Sequence, residues 1–254
     1  MGEVASVTTA AWTFAGMAVV VTTVWLAGYR LPLARPRPRQ RFRLAVSSAT
    51  GLPARLVFPV VGTVIYLAGG ALAAAALVWW GDVPLLDALR MRPSGEAAAA
   101  TALVAVGTAA ITAFAMAVIY QIRPSADVPG AVAGSGWIRE VMVLSPRWRW
   151  VVPMASAAVE ELFFRGVVLV GMLAHGAPGW AAIAVAGLVF TVGQVVLVDN
   201  GLAMVVLGVS SVVLSALCGL LVVVTGSVLP AILVHAAFAG FYTNLGGART
   251  PRTA

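Results

Sequence analysis

Residues 150–174 read WVVPMASAAVEELFFRGVVLVGMLA, an apolar run interrupted by Glu160, Glu161 and Arg165. About twenty apolar residues are what a helix needs to cross roughly 30 Å of hydrocarbon. This run is long enough, and Glu160 lies about ten residues inside it. At 1.5 Å per residue that is roughly 15 Å deep, near the bilayer centre. A charge at that depth costs about 2.5–3.5 kcal/mol on insertion scales, so three of them in one span mark a functional candidate.

The rest of the chain supports the reading of a span. Of 254 residues, 61% are hydrophobic and only 10% charged, and the mean hydropathy is +0.99. A soluble domain has about 45–50% apolar and about 25% charged residues. The excess falls into runs at residues 5–28, 56–80, 97–120, 150–174, 180–198, 202–224 and 228–245. These runs do not alternate polar and apolar residues as barrel strands do. In lipid the remaining way to satisfy the backbone internally is the helix. The expected fold is all-α, a polytopic helical transmembrane bundle of about seven spans. Residues 1–148 hold three spans with basic loops, residues 149–247 a four-span core, and residues 248–254 a tail.

The net charge is +7, and every basic residue is arginine. Apart from Arg165, the arginines lie outside the apolar runs, which is the pattern of a topology signal rather than of a nucleic-acid face. Arg30, Arg35, Arg37, Arg39, Arg41, Arg43 and Arg55 occupy the first loop. Arg123, Arg139, Arg147 and Arg149 occupy the third, residues 122–148, and Arg249 and Arg252 the tail. The positive-inside rule then puts both loops and the tail in the cytoplasm and the N-terminus outside. The expectation is a multi-pass protein of the cell (plasma) membrane. Residues 33–39, with Pro36 and Pro38, are expected to form an extended basic arm at the lipid surface. Cys218 sits in an apolar run and reads as a small core residue.

Helical spacing sorts the charged residues. Glu161 and Arg165 are four apart with the acid first, the favoured order for an ion pair, and can simply lock the bundle. Glu160 is turned about 100° away and shares its side with Phe164. A carboxylate in hydrocarbon outside that pair is suited to general base or acid work. His235, in the last run, falls within roughly 5 Å of Glu160 in depth. Gln194, in Phe190-Thr191-Val192-Gly193-Gln194, can donate and accept hydrogen bonds but takes up no proton at neutral pH. His175 lies in a short outer loop and is expected to be solvated.

Glu160-Glu161…Arg165 in one span, Phe190 with Gln194 in the next, and Thr225-Gly226-Ser227 through Pro230 with His235 in the last resemble the CAAX protease and bacteriocin-processing (CPBP, or Abi) family. The resemblance covers roughly residues 150–245. It implies an intramembrane endopeptidase in which Glu160 activates the attacking water, Glu161 and Arg165 form the supporting pair and His235 helps stabilise the oxyanion. Two positions depart from the family pattern. Gln194 stands where Phe-x-x-x-His has its histidine, and Ala239 where His-x-x-x-Asn has its asparagine. Gln cannot shuttle protons or replace imidazole on zinc. Loss of one oxyanion donor costs about 10²–10³ in rate. Asn244, nine residues after His235, is off the helical repeat.

No cofactor is expected, since a metal would find only Glu160, Glu161 and His235, an atypical donor set. The implied partners are the lipid bilayer and a hydrophobic peptide or lipidated substrate, with no nucleic acid. Two alternatives stay open on the sequence. One is a repurposed intramembrane enzyme doing acid–base chemistry on an isoprenoid or other apolar small molecule. The other is a non-catalytic family member acting in immunity or as a scaffold.

Overall fold

The computed structural model describes residues 2–30, 35–91 and 93–247, with side chains from residue 9 to residue 244. Arg92, residues 31–34 with the start of the basic arm, and the tail with Arg249 and Arg252 lie outside the described residues. In chain order the long helices are α1 (Gly2–Arg30), α2 (Pro36–Thr50), α3 (Thr63–Gly81) and, after the short α4 (Leu85–Ala88), α5 (Gly95–Ile122). Two short helices, α6 (Val128–Ala133) and α7 (Gly136–Met142), lead into α8 (Pro146–Glu161). A π-helical segment (Leu162–Leu169) joins α8 to the short α9 (Val170–Ala174). Then come α10 (Gly179–Val196), α11 (Gly201–Thr225) and α12 (Leu229–Gly247). Among the described residues there is no strand.

The chain is a helical transmembrane bundle. Five segments are long and apolar enough to cross a membrane: Thr9–Arg30, Ala54–Gly81, Gly95–Ile122, Gly179–Val196 and Gly201–Thr225. The two other expected spans are also helical, as α8 through α9 and as α12. They carry Glu160, Glu161, Arg165 and His235, so length and apolarity alone do not single them out. The outward faces are those of a lipid-soluble body, with Leu72, Leu103, Phe114, Leu188 and Val212 all exposed. In water such a surface would aggregate. Exposed Trp79, Trp80 and Trp180 mark one end of the bundle, and Trp148 and Trp150 lie at the start of α8, toward the other. Phe14 stacks on both Trp80 and His175, which sets the end of α3 level with the turn after α9. Interfacial tryptophan belts have this arrangement.

Two expectations need correction, those for the basic arm and for His175. The arm is helical from Pro36 onward. Its prolines fall in the first turn, where backbone N–H groups have no intrahelical acceptor to lose, so they start the helix instead of preventing it. The third loop contains α6 and α7, and α7 is held to α2 by an Arg39–Glu140 ion pair. The Arg39 guanidinium also lies 4.1 Å over the ring of Phe58. His175 is half-buried rather than solvated, with Nδ1 2.7 Å from the Gly171 carbonyl.

Asn244 has a structural task. Pro153, inside α8, has no N–H and so leaves the Arg149 carbonyl without its helical donor. The Asn244 amide donates to that carbonyl at 3.1 Å and to the Gly240 carbonyl at 2.8 Å. Gly240 allows this contact, since a Cβ there would meet Trp150 at 3.0 Å. Asn244→Ala is therefore expected to destabilise the bundle by about 0.5–1.5 kcal/mol, the usual net worth of a hydrogen bond. Chemical denaturation in mixed micelles, compared with the unaltered chain, measures it.

Candidate active site

The site is assembled where α8 runs into the π-helical segment. Glu160 and Glu161 are the last two residues of α8, and both are buried. Arg165 follows in the segment Leu162–Leu169, which is π-helical and itself almost wholly buried. Such wide turns are uncommon and recur at functional sites. Phe163 and Phe164 pack against Trp25 of α1, fixing the segment from that side.

The expected pair forms. Arg165 Nη1 lies 2.9 Å from Glu161 Oε1, with the side chains 1% and 0% exposed. The approach is ionic rather than aligned along an N–H, and Nη2 has no hydrogen-bond partner among the described residues. Phe190 of α10 covers the guanidinium, its ring centre 4.7 Å from Cζ. The same ring meets the imidazole of His235 edge-on at 5.7 Å.

His235 bridges the two carboxylates. Its Nδ1 is 2.8 Å from Glu161 Oε1, a hydrogen bond, while Nε2 is 3.8 Å from Glu160 Oε2. Glu161, ion-paired to Arg165, can only accept, so Nδ1 carries the hydrogen. This sharpens the expectation from the sequence. Glu161 does more than neutralise Arg165, because it also fixes the orientation of His235, as the carboxylate of a Ser-His-Asp triad fixes its histidine. That leaves Nε2 directed toward Glu160, too far for a direct hydrogen bond and close enough for one oxygen atom to touch both.

Glu160 has a partner that the sequence did not reveal. The hydroxyl of Tyr66, on α3, donates to Glu160 Oε1 at 2.6 Å. Tyr66 belongs to a span with no motif, and a tyrosine in an apolar helix reads as packing. The available signal was that a buried phenol needs a hydrogen-bond partner. Gly70, one turn further along α3, makes the contact possible. A Cβ there would fall 2.5 Å from Val159, the residue before Glu160, and 2.7 Å from the Trp25 ring. Gln194 is the other hydrogen-bonding neighbour of the Glu160 carboxylate.

Glu160, Gln194, His235 and Ala239 all line one cavity of about 440 Å³. Its walls are mainly apolar and reach Tyr29, Phe58, Trp137 and Glu140, at the end of the bundle where the arginine-rich loops lie. Asn244 is occupied by the backbone carbonyls, and the position four residues after His235 is Ala239, which offers only a methyl group. As for a metal, Glu161 Oε1 is already shared by Arg165 and His235. Among the described residues, no three His, Cys, Asp or Glu side chains converge as ligands.

The site is thus a membrane-embedded carboxylate–histidine centre that opens on a mainly apolar cavity. Residues 143–241 match the family model described as Type II CAAX prenyl endopeptidase Rce1-like. This segment is thus similar to the type II CAAX prenyl endopeptidases, the same family that Glu160-Glu161…Arg165 resembles. Comparison with curated proteins found no match, and neither did comparison with solved structures.

Proposed function

We propose that the protein is an intramembrane endopeptidase that cuts a hydrophobic or lipidated peptide held beside the bilayer, with a water activated by Glu160. The observation that carries this reading is the placement of the Glu160 carboxylate. It faces a mainly apolar cavity, outside the Glu161–Arg165 pair, with His235 Nε2 at 3.8 Å. Glu160 takes a proton from water as its oxygen attacks the peptide carbonyl. His235, oriented by Glu161 through Nδ1, places Nε2 beside the oxyanion and helps stabilise it. No step runs through a metal. The arginine-rich loops face the cytoplasm in this reading, the N-terminus lies outside and the tail inside. The substrate then enters from the cytoplasmic leaflet, past Trp137 and Glu140.

The test is cleavage by the purified chain in proteoliposomes. A panel of farnesylated and geranylgeranylated C-terminal peptides and hydrophobic leader peptides would be followed by mass spectrometry. A single internal cut in at least one class supports the reading, and no cut in any class refutes it. A further outcome follows from Ala239. It lines the cavity one turn from His235, so an amide there would join His235 at the oxyanion. Ala239→Asn is expected to raise kcat by up to about 10²–10³, the usual worth of one oxyanion donor. An unchanged initial rate would place the oxyanion elsewhere.

A further inference from the structure

We propose that Tyr66 is the general acid that protonates the leaving amine, the task for which Gln194 has no proton to give. The inference rests on the endopeptidase reading above. Peptide hydrolysis needs two proton movements, one off the water and one onto the departing nitrogen. Glu160 performs the first. His235 is engaged at the oxyanion through Nε2 and at Glu161 through Nδ1. The amide of Gln194 has no dissociable proton at neutral pH. The Tyr66 hydroxyl lies against Glu160 Oε1 at 2.6 Å, and the ring lines the same cavity.

The phenol is also held in place. The Trp25 indole N–H donates to the Tyr66 backbone carbonyl at 3.1 Å, and the rings of Trp25 and Tyr29 pack on it with centroids 5.0 and 5.2 Å away. None of these contacts uses the hydroxyl, so its one recorded hydrogen bond is to the residue that collects the proton from water. The protons balance through this pair. Water gives a proton to Glu160 and its oxygen bonds to the carbonyl carbon, whose π pair moves to oxygen. When the intermediate collapses, the C–N bond breaks with its electron pair on nitrogen, and nitrogen takes the Tyr66 proton. The tyrosinate then recovers the proton from Glu160 along the 2.6 Å hydrogen bond. One water is consumed, one acid and one amine are released, and both side chains return to their starting state. The second proton donor of the site thus comes from the N-terminal spans, outside the segment that carries the family match.

The experiment compares two substrates of one sequence, a peptide amide and its p-nitrophenyl ester, whose leaving group departs without a proton. Both are given to the wild type, Tyr66→Phe and Glu160→Gln in proteoliposomes. Tyr66→Phe is expected to lower kcat on the amide by about 10²–10⁴, the usual worth of general acid catalysis. Its loss on the ester should be much smaller than its loss on the amide, while Glu160→Gln loses both substrates. Wild-type amide cleavage by Tyr66→Phe overturns the proposal. Equal loss on amide and ester also overturns it, by making Tyr66 a positioning residue for Glu160. If the wild type cleaves neither substrate, the endopeptidase reading fails and takes this proposal with it.

Discussion

Arg165→Met is expected to destabilise the bundle by about 3–5 kcal/mol, the cost of leaving one partner of a buried ion pair uncompensated. Arg165 is among the largest fully buried side chains of the protein, and Glu161 beside it has no exposure at all. Without the guanidinium, a carboxylate in hydrocarbon is left with His235 as its recorded partner. Methionine fills much of the volume and keeps a contact with Phe190, so the loss reads the charge and not a void. The companion measurement is the double change Glu161→Gln with Arg165→Met, which removes both charges. It is expected to recover more than half of the lost stability in mixed-micelle denaturation, since replacing a whole buried pair is often neutral. If the double variant were as unstable as the single one, packing rather than charge would hold the segment Leu162–Leu169.

Glu160→Gln is expected to leave folding intact and remove catalysis. Glutamine has the same shape, and its carbonyl oxygen can still accept from Tyr66. What disappears is the base. General base catalysis is worth about 10²–10⁴ in rate, or roughly 2.7–5.4 kcal/mol of barrier. Stability should stay level or rise, because a carboxylate outside an ion pair is costly in hydrocarbon. A parallel record of initial rates and denaturation midpoints separates the two effects. Loss of rate together with loss of stability would move Glu160 from the chemistry to the architecture.

Much of this site was legible in the sequence, for identifiable reasons. The bundle follows from the length of the apolar runs. The Glu161–Arg165 pair follows from i,i+4 spacing and survives the change from α- to π-helical turns. Depth counting brought His235 level with Glu160. It could not decide which carboxylate His235 would hold, because depth fixes position along a helix and not the rotation of one helix against another. That rotation gives the hydrogen bond to Glu161 and leaves Glu160 at 3.8 Å. Tyr66 was hidden for a related reason. Its approach to Glu160 depends on Gly70 letting α3 close on α8, a contact between spans with no trace in either span alone. Pro36 and Pro38 misled because proline is read as a helix breaker, although its cost vanishes in a first turn. The partner of Asn244, the carbonyl freed by Pro153, shows only when α12 lies along α8.

The central claim is that water, activated by Glu160, is the nucleophile. Cleavage of a susceptible lipid-adjacent peptide in the presence of hydroxylamine tests it most directly, because an acyl-enzyme would be trapped as a hydroxamate and direct attack by water leaves nothing to trap. The expected result is the free carboxylic acid alone, with no product from Glu160→Gln. A peptide hydroxamate, or product that forms equally well with Glu160→Gln, would contradict it.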